Sequence, residues 1–159
     1  LNDSKQLSLK KRNQLRAEIM EKALCYGIGI VDHKEIDQIN ILNASILAMH
    51  RALAQMPIQP QFILVDGNRF KPYQAIPHAC MIKGDARFSS IAAASILAKT
   101  HRDQLMTDLH QQYPQYGWEQ NQGYPTIAHR KALAEFGTTP HHRLTFQLLA
   151  RDQQLGLFD

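Results

Sequence analysis

Two aspartates stand where two apolar runs stop. Phe62 to Val65 are apolar, and Asp66 and Gly67 follow them in QFILVDGNRF. Ala79 to Ile82 are apolar, and Lys83, Gly84 and Asp85 follow them in ACMIKGDARF. Each stretch reads as a short buried strand, at residues 61–66 and 79–82. A strand that ends on a carboxylate beside a turn-permitting glycine delivers that carboxylate to the rim of a sheet. In α/β sheets, ligands gather at the carboxyl ends of strands. Two carboxylates there can hold Mg²⁺, which prefers hard oxygen ligands and keeps several waters. Two metals about 4 Å apart can clamp the attacking and leaving oxygens of a phosphodiester. The plainer account is that Asp-Gly and Gly-Asp steps mark turns, and it suffices for either aspartate alone. Together the two are harder to dismiss. Such a site usually takes more than two carboxylates, and no other strand end in this chain offers them.

The elements that must position these residues follow from periodicity and caps. Ser8 can cap a helix running to about Ala23, with Leu9, Leu15, Ile19 and Ala23 along one side. Its other face carries Lys10, Lys11, Arg12 and Arg16. Residues 25–31 are short, glycine-containing and rich in β-branched side chains, and read as a strand. Asp32 resembles an N-cap before a helical turn at 34–39. Residues 40–55 form a second helix, with Ile41, Ala44, Leu47 and Ala48 at helical spacing. Pro57 and Pro60 bracket its exit. A loop from Lys71 to Pro77 separates the two aspartate-bearing strands. Ser89 or Ser90 begins the longest helix, to about Gln112, and the small residues of IAAASILAK let it lie close against the sheet. Pro114 ends it. YGWEQNQGYPT is an aromatic, glycine-containing loop. Thr126 caps a helix whose Ala128, Ala132 and Phe136 form a stripe, and Gly137 stops it. A last helix covers 141–151. The pattern is that of one α/β domain, residues 1–150, with a tail at 151–159.

Bulk properties narrow the setting. The 159 residues suit a single domain, and a chain of that size buries roughly 70% of its unfolded surface without staples. Cys25 and Cys80 form no CxxC motif, so a reducing compartment is expected. No apolar run approaches the roughly 18 residues of a membrane span, and no signal peptide is visible. A cytoplasmic monomer without membrane contact is expected. The net charge of +4 favours anionic partners or reflects ordinary solvated surface. The chain begins with Leu1, and LNDSKQLS reads like the middle of a protein, so a preceding segment is expected to be missing.

Seven blocks occur in order: LNDSKQLS, HKEIDQINIL, LVDGNRF, IKGDARF, IAAASILAKTHRD, QYGWEQNQGYPT and HHRLTF. From Leu1 to about Phe146 they resemble the type 2 ribonuclease H family, ribonuclease HII, in its bacterial form. The resemblance implies a ribonuclease H-like mixed sheet flanked by helices. It implies an endonuclease that hydrolyses RNA in RNA–DNA hybrids, or at a single ribonucleotide embedded in DNA. It further implies a two-metal mechanism with Mn²⁺ or Mg²⁺, leaving 5′-phosphate and 3′-hydroxyl ends. Asp66 and Asp85 match two of the family's four carboxylates. The other two are an Asp-Glu pair on the first strand, followed by a Gly-Arg-Gly segment that reads the ribose 2′-hydroxyl. Neither occurs in this chain. The first two strands of the family sheet are therefore expected to be missing. Residues 25–31 and 61–66 would lack their shared neighbour, and each buried unpaired backbone group costs about 1–3 kcal/mol. The chain alone is expected to be poorly folded and inactive. The alternatives are a non-catalytic nucleic-acid-binding domain or an inactive fragment.

Other residues carry a role in the light of that resemblance. Ser4 and Lys5 resemble contacts to substrate phosphates. A lysine and a hydroxyl at a helix entrance suit an anion, though from the residues alone a plain capping loop is the favoured account. Lys83 could meet a phosphate or simply offset the carboxylates. Asn68 and Arg69 follow Asp66 closely enough to support it. Tyr124 is either a packing residue or, by the resemblance, the ring that stacks on the sugar at the ribonucleotide–DNA junction. Lys99, Arg102 and Asp103 ride the long helix, where a helix-face salt bridge is the simplest reading. The spacing of His141, His142 and Arg143 does not by itself make a metal site. Trp118 reads as core or as a loop anchor. In the tail, Gln154, Leu155, Leu157 and Phe158 are either a last helical turn or anchors for a partner's apolar pocket. QLGLF resembles the bacterial sliding-clamp-binding motif.

Overall fold

The computed structural model describes residues 7–145. Helix α1 spans Leu9–Lys22, and the Ser8 hydroxyl accepts a hydrogen bond from the Lys11 N–H, at 3.3 Å. None of its residues is fully buried. Helix α2 spans His33–Ala54 but is broken at Asn40, whose φ of 65° and ψ of 165° are not helical. That break falls at the boundary expected between the 34–39 turn and the second helix. Asp32 and Glu35 cap the entrance reciprocally: Glu35 N–H donates to Asp32 Oδ1 at 2.9 Å, and Asp32 N–H to Glu35 Oε2 at 3.3 Å. The buried residues of α2 are Ala44, Ile46 and Leu53, whereas Ile41 is exposed.

Strands β1 (Ile63–Asp66) and β2 (His78–Met81) pair in parallel, with Ile63 opposite His78 and Asp66 opposite Met81. Among the described residues the sheet has these two strands. A 3₁₀ turn at Gly84–Ala86 follows β2 and leads to α3, Ser89–Gln112. A second 3₁₀ turn, Pro114–Tyr116, precedes the short helix α4, Trp118–Asn121. Helix α5, Ile127–Phe136, is capped by Thr126 and closed by Gly137 at φ 73°, as the sequence leads one to expect.

Three local expectations are corrected. Residues 25–31 do not form a strand. The segment lies on α2, and side chains of α2 and of the residue just after it bond its backbone. Gln55 both accepts from Ile28 N–H (3.4 Å) and donates to Ile28 O (3.0 Å), and Arg51 Nη1 donates to Ile30 O (2.7 Å). Its glycines allow that approach: a Cβ on Gly27 would fall 2.1 Å from Ala52 O, and one on Gly29 1.8 Å from Ala48 O. In α5 the buried side chains are His129, Ala132 and Leu133, whereas Ala128 and Phe136 are exposed. The final helix expected at 141–151 is absent over residues 141–145, and the rest lies outside the described residues. Thr139 and His142 close a turn there instead: Thr139 N–H donates to His142 Nδ1 at 2.9 Å, and His142 N–H to Thr139 O at 3.1 Å.

The chain divides into two compact units. The first takes in the described residues up to Val31, together with Leu42–His101. One apolar cluster in it is Leu53, Ile63 and Val65, covered by Met49, Met56, Phe70, Tyr73 and Ile76. Ala92 and Ile96 of α3 are also fully buried. The second unit takes in Asp32–Ile41 and the described residues from Arg102. Its core is Tyr116, Trp118, Ala132 and Leu133, packed by Met106, Leu109 and Tyr113. Trp118 is thus a core residue. Among the described residues, no helix is long and apolar enough to cross a membrane.

Candidate active site

Parallel pairing puts the carboxyl ends of β1 and β2 on one rim. Asp66 is the last residue of β1 and is exposed. Gly67 extends the ladder by one bond, its N–H donating to Met81 O at 2.9 Å, and then turns the chain at φ 114°. On the neighbouring strand the chain turns through Lys83, which adopts a left-handed conformation (φ 55°). That conformation is unfavourable for a side chain with a Cβ, by roughly 1–2 kcal/mol. Such outliers persist where surrounding structure over-determines them, often at functional sites. Here the turn brings Gly84 N–H to Asp66 Oδ1, at 2.9 Å. Asp85 is the next residue, half-buried within the 3₁₀ turn. Gly84 has no space for a side chain, since a Cβ would sit 2.5 Å from Ile91 Cδ1 of α3 and 3.3 Å from Met81 Cβ. The two carboxylates are thereby linked through one backbone turn.

The remaining candidates distribute as follows. Asn68, Arg69 and Lys83 are exposed and belong to the first unit with Asp66 and Asp85. Tyr124 belongs to the second unit and is also exposed. Ser4, Lys5, Gln154, Leu155, Leu157 and Phe158 lie outside the described residues. Among the described residues, no group of three or more His, Cys, Asp or Glu is placed to hold a metal ion. Asp66 and Asp85 fit a divalent cation in kind, because they offer hard oxygens and a hydrated ion can take its other ligands from water. They account for two of the four carboxylates that the family resemblance implies.

Two features escape a reading of the sequence. One is Arg102, which turns from its own helix toward the Tyr124 loop, donating to Gln122 O at 2.6 Å. The other is a buried ring cluster of Tyr116, Trp118, His129 and His142. His129 and His142 stack with centroids 5.5 Å apart, and Tyr116 stacks on Trp118 at 5.2 Å. His129 Nδ1 faces Tyr116 O at 3.2 Å, so that nitrogen carries the proton. Burial holds the pKa of His129 below the ordinary histidine value. The one available signal for His129 was its position three and four residues before Ala132 and Leu133, on the same helix face.

A sequence profile of the ribonuclease HII family matches residues 1–149. The chain is 58% identical over 157 residues to the ribonuclease HII of Phocaeicola vulgatus, covering 99% of this chain and 78% of that protein. It is 60% identical over 158 residues to that of Bacteroides fragilis, with the same coverage of 99% and 78%. In three dimensions it matches the crystal structure of ribonuclease H2 from Pyrococcus horikoshii at a TM-score of 0.78 and 26% identity, covering 98% of this chain and 80% of that one. The fold is therefore that of the type 2 ribonucleases H, a small parallel sheet flanked by helices. The chain belongs to the ribonuclease HII family, and so to the hydrolases that act as nucleases.

Proposed function

We propose that the chain belongs to an endonuclease acting on RNA–DNA hybrids and at single ribonucleotides embedded in DNA, with 5′-phosphate and 3′-hydroxyl products. The observation that carries this reading is the hydrogen bond from Gly84 N–H to Asp66 Oδ1, which ties one strand-end carboxylate to the turn bearing the other. Asp66 and Asp85 would hold Mn²⁺ or Mg²⁺, which supplies Lewis acidity to the phosphate and a lowered pKa to bound water. Gly84 orients the Asp66 carboxylate. Lys83, on the same turn, offsets negative charge as a phosphate approaches. Asn68 and Arg69 leave the same strand end and contact the backbone of the substrate. Ser4 and Lys5 bind flanking phosphates, and Tyr124 stacks on the sugar at the junction. The exposed Lys10 and Lys11 of α1 add sequence-independent attraction for the duplex, which salt weakens. The protein works as a cytoplasmic monomer, and its tail engages the bacterial sliding clamp.

Neither an Asp-Glu dipeptide nor Gly-Arg-Gly occurs within the 159 residues. These residues alone are accordingly expected to cleave poorly. The test uses a DNA duplex containing one ribonucleotide, with Mg²⁺ or Mn²⁺. The 159-residue chain is compared with the same chain joined to a hairpin bearing Asp-Glu and Gly-Arg-Gly. Cleavage is expected in the extended protein and should fall by more than about 100-fold in Asp66→Asn. Equal cleavage by the 159-residue chain would overturn the expectation of inactivity. Binding without cleavage by a well-folded extended protein would point to a nucleic-acid-binding domain.

A further inference from the structure

Tyr124 exposes 62% of its surface on a loop that contains Gly123, a setting in which a ring ordinarily rotates and drifts. Here the loop is closed from several sides. Asn121 Nδ2 donates to Tyr116 O at 2.6 Å, and Asn121 Oδ1 accepts from Gly123 N–H at 2.8 Å. Tyr124 N–H donates to Asn121 O, and Thr126 N–H to Tyr124 O, both at 2.8 Å. Arg102, from α3, makes two further contacts with one planar group. Its Nη1 donates to Gln122 O at 2.6 Å, and its guanidinium carbon lies 5.9 Å from the centre of the Tyr124 ring. Gly123 lies beside that group. At its φ of +76°, a Cβ would lie 3.5 Å from Arg102 Nη2 and 3.2 Å from Met106 Cε.

We propose that Arg102 is a positioning residue that holds the Tyr124 ring ready to meet the sugar at the ribonucleotide–DNA junction, and so contributes to the preference for ribonucleotide-containing duplexes over all-DNA duplexes. This rests on the reading of Tyr124 as the sugar-stacking ring. Stacking requires one ring orientation, and a ring already backed by a guanidinium loses less freedom when the ligand arrives. A cation over an aromatic face is attracted by the ring quadrupole, and the planar fork can bond a carbonyl at the same time. A lysine keeps the charge but not the fork. Arg102 therefore acts through Tyr124 and not as an independent phosphate contact.

The experiment measures binding without divalent metal, so that nothing is cleaved. Fluorescence anisotropy compares a duplex with one ribonucleotide against the same duplex in DNA, using the chain joined to the hairpin that bears Asp-Glu and Gly-Arg-Gly, and its Arg102→Ala, Arg102→Lys, Tyr124→Ala and double alanine variants. Tyr124→Ala and Arg102→Ala should each reduce the ribonucleotide preference by about tenfold, and the double variant should lose no more. Arg102→Lys should fall in between. Additive losses, or a preference lost only in Tyr124→Ala, would overturn the proposal. Amide hydrogen exchange of Tyr124 and Thr126 is followed in the same variants. In Arg102→Ala both amides should exchange faster while Ala132 and Leu133 keep their protection. Unchanged exchange at the loop, or a uniform loss across α5, would also overturn it. If Tyr124→Ala leaves the preference intact, the stacking reading fails and the ribose-preference proposal falls with it. The exchange result then still reports whether Arg102 orders the loop.

Discussion

His142 shows how one side chain can tie stability to pH. It is 6% exposed, and its Nδ1 accepts from Thr139 N–H, so in the neutral ring the proton sits on Nε2. Among the described residues, that Nε2 is buried without a hydrogen-bond partner. Burial first, and then the neighbouring His129, push the pKa of His142 down to about 4, with His141 and His33 adding to the effect. The unfolded chain takes up this proton near pH 6.5. Between those two values the unfolded state binds more protons, so stability is complete above about pH 6.5 and falls as the pH drops toward about 4. At about 1.4 kcal/mol per pH unit across that window, the expected loss is about 3 kcal/mol. Urea unfolding followed by the fluorescence of Trp118, the single tryptophan, checks it, and His142→Phe should flatten the pH dependence. Asp66 and Asp85 were legible as a pair because each terminates an apolar run. The His129–His142 stack was not, because it joins residues 13 positions apart whose meeting depends on the turn closed by Thr139.

Caps were the most legible features at the scale of elements. Ser8, Asp32 and Thr126 each place a side-chain oxygen against a backbone N–H three residues on. That interaction is local, so the sequence contains all of it. The segment at 25–31 is the opposite case. Glycine and β-branched residues suit a pleated strand, and they also suit an extended segment lying on a helix. Which of these forms depends on what lies beside the segment, and Arg51 of α2 and Gln55 just beyond it supply the polar partners here. Gly29→Ala would drive a Cβ into the Ala48 carbonyl and should destabilise the protein by about 3 kcal/mol. Thermal or urea unfolding of the variant measures this. A strand would have tolerated the alanine with a far smaller change.

At the scale of the whole molecule, family membership rests on similarity that extends over 99% of the chain, while the tail lies outside the described residues. Gln154 to Phe158 can still be tested directly. Leu157→Ala combined with Phe158→Ala should weaken binding of the chain to a bacterial sliding clamp by at least about 30-fold, because a few buried apolar anchors dominate such interfaces. Surface-immobilised clamp measures it, and undiminished binding would remove the tail from the proposal. The same variant should bind a ribonucleotide-containing duplex as the parent does.

By itself the sequence determined the helix caps, the two strand ends with their aspartates and the family. These depend on interactions within a few residues or on motifs read in order. Only the tertiary structure decided that Gly84 bonds Asp66, that Arg102 backs Tyr124, and that residues 25–31 rest on a helix. Each of these joins groups distant in the chain, and their partners are chosen by packing and by the need to satisfy buried backbone groups. Local residue preference carries no record of that choice.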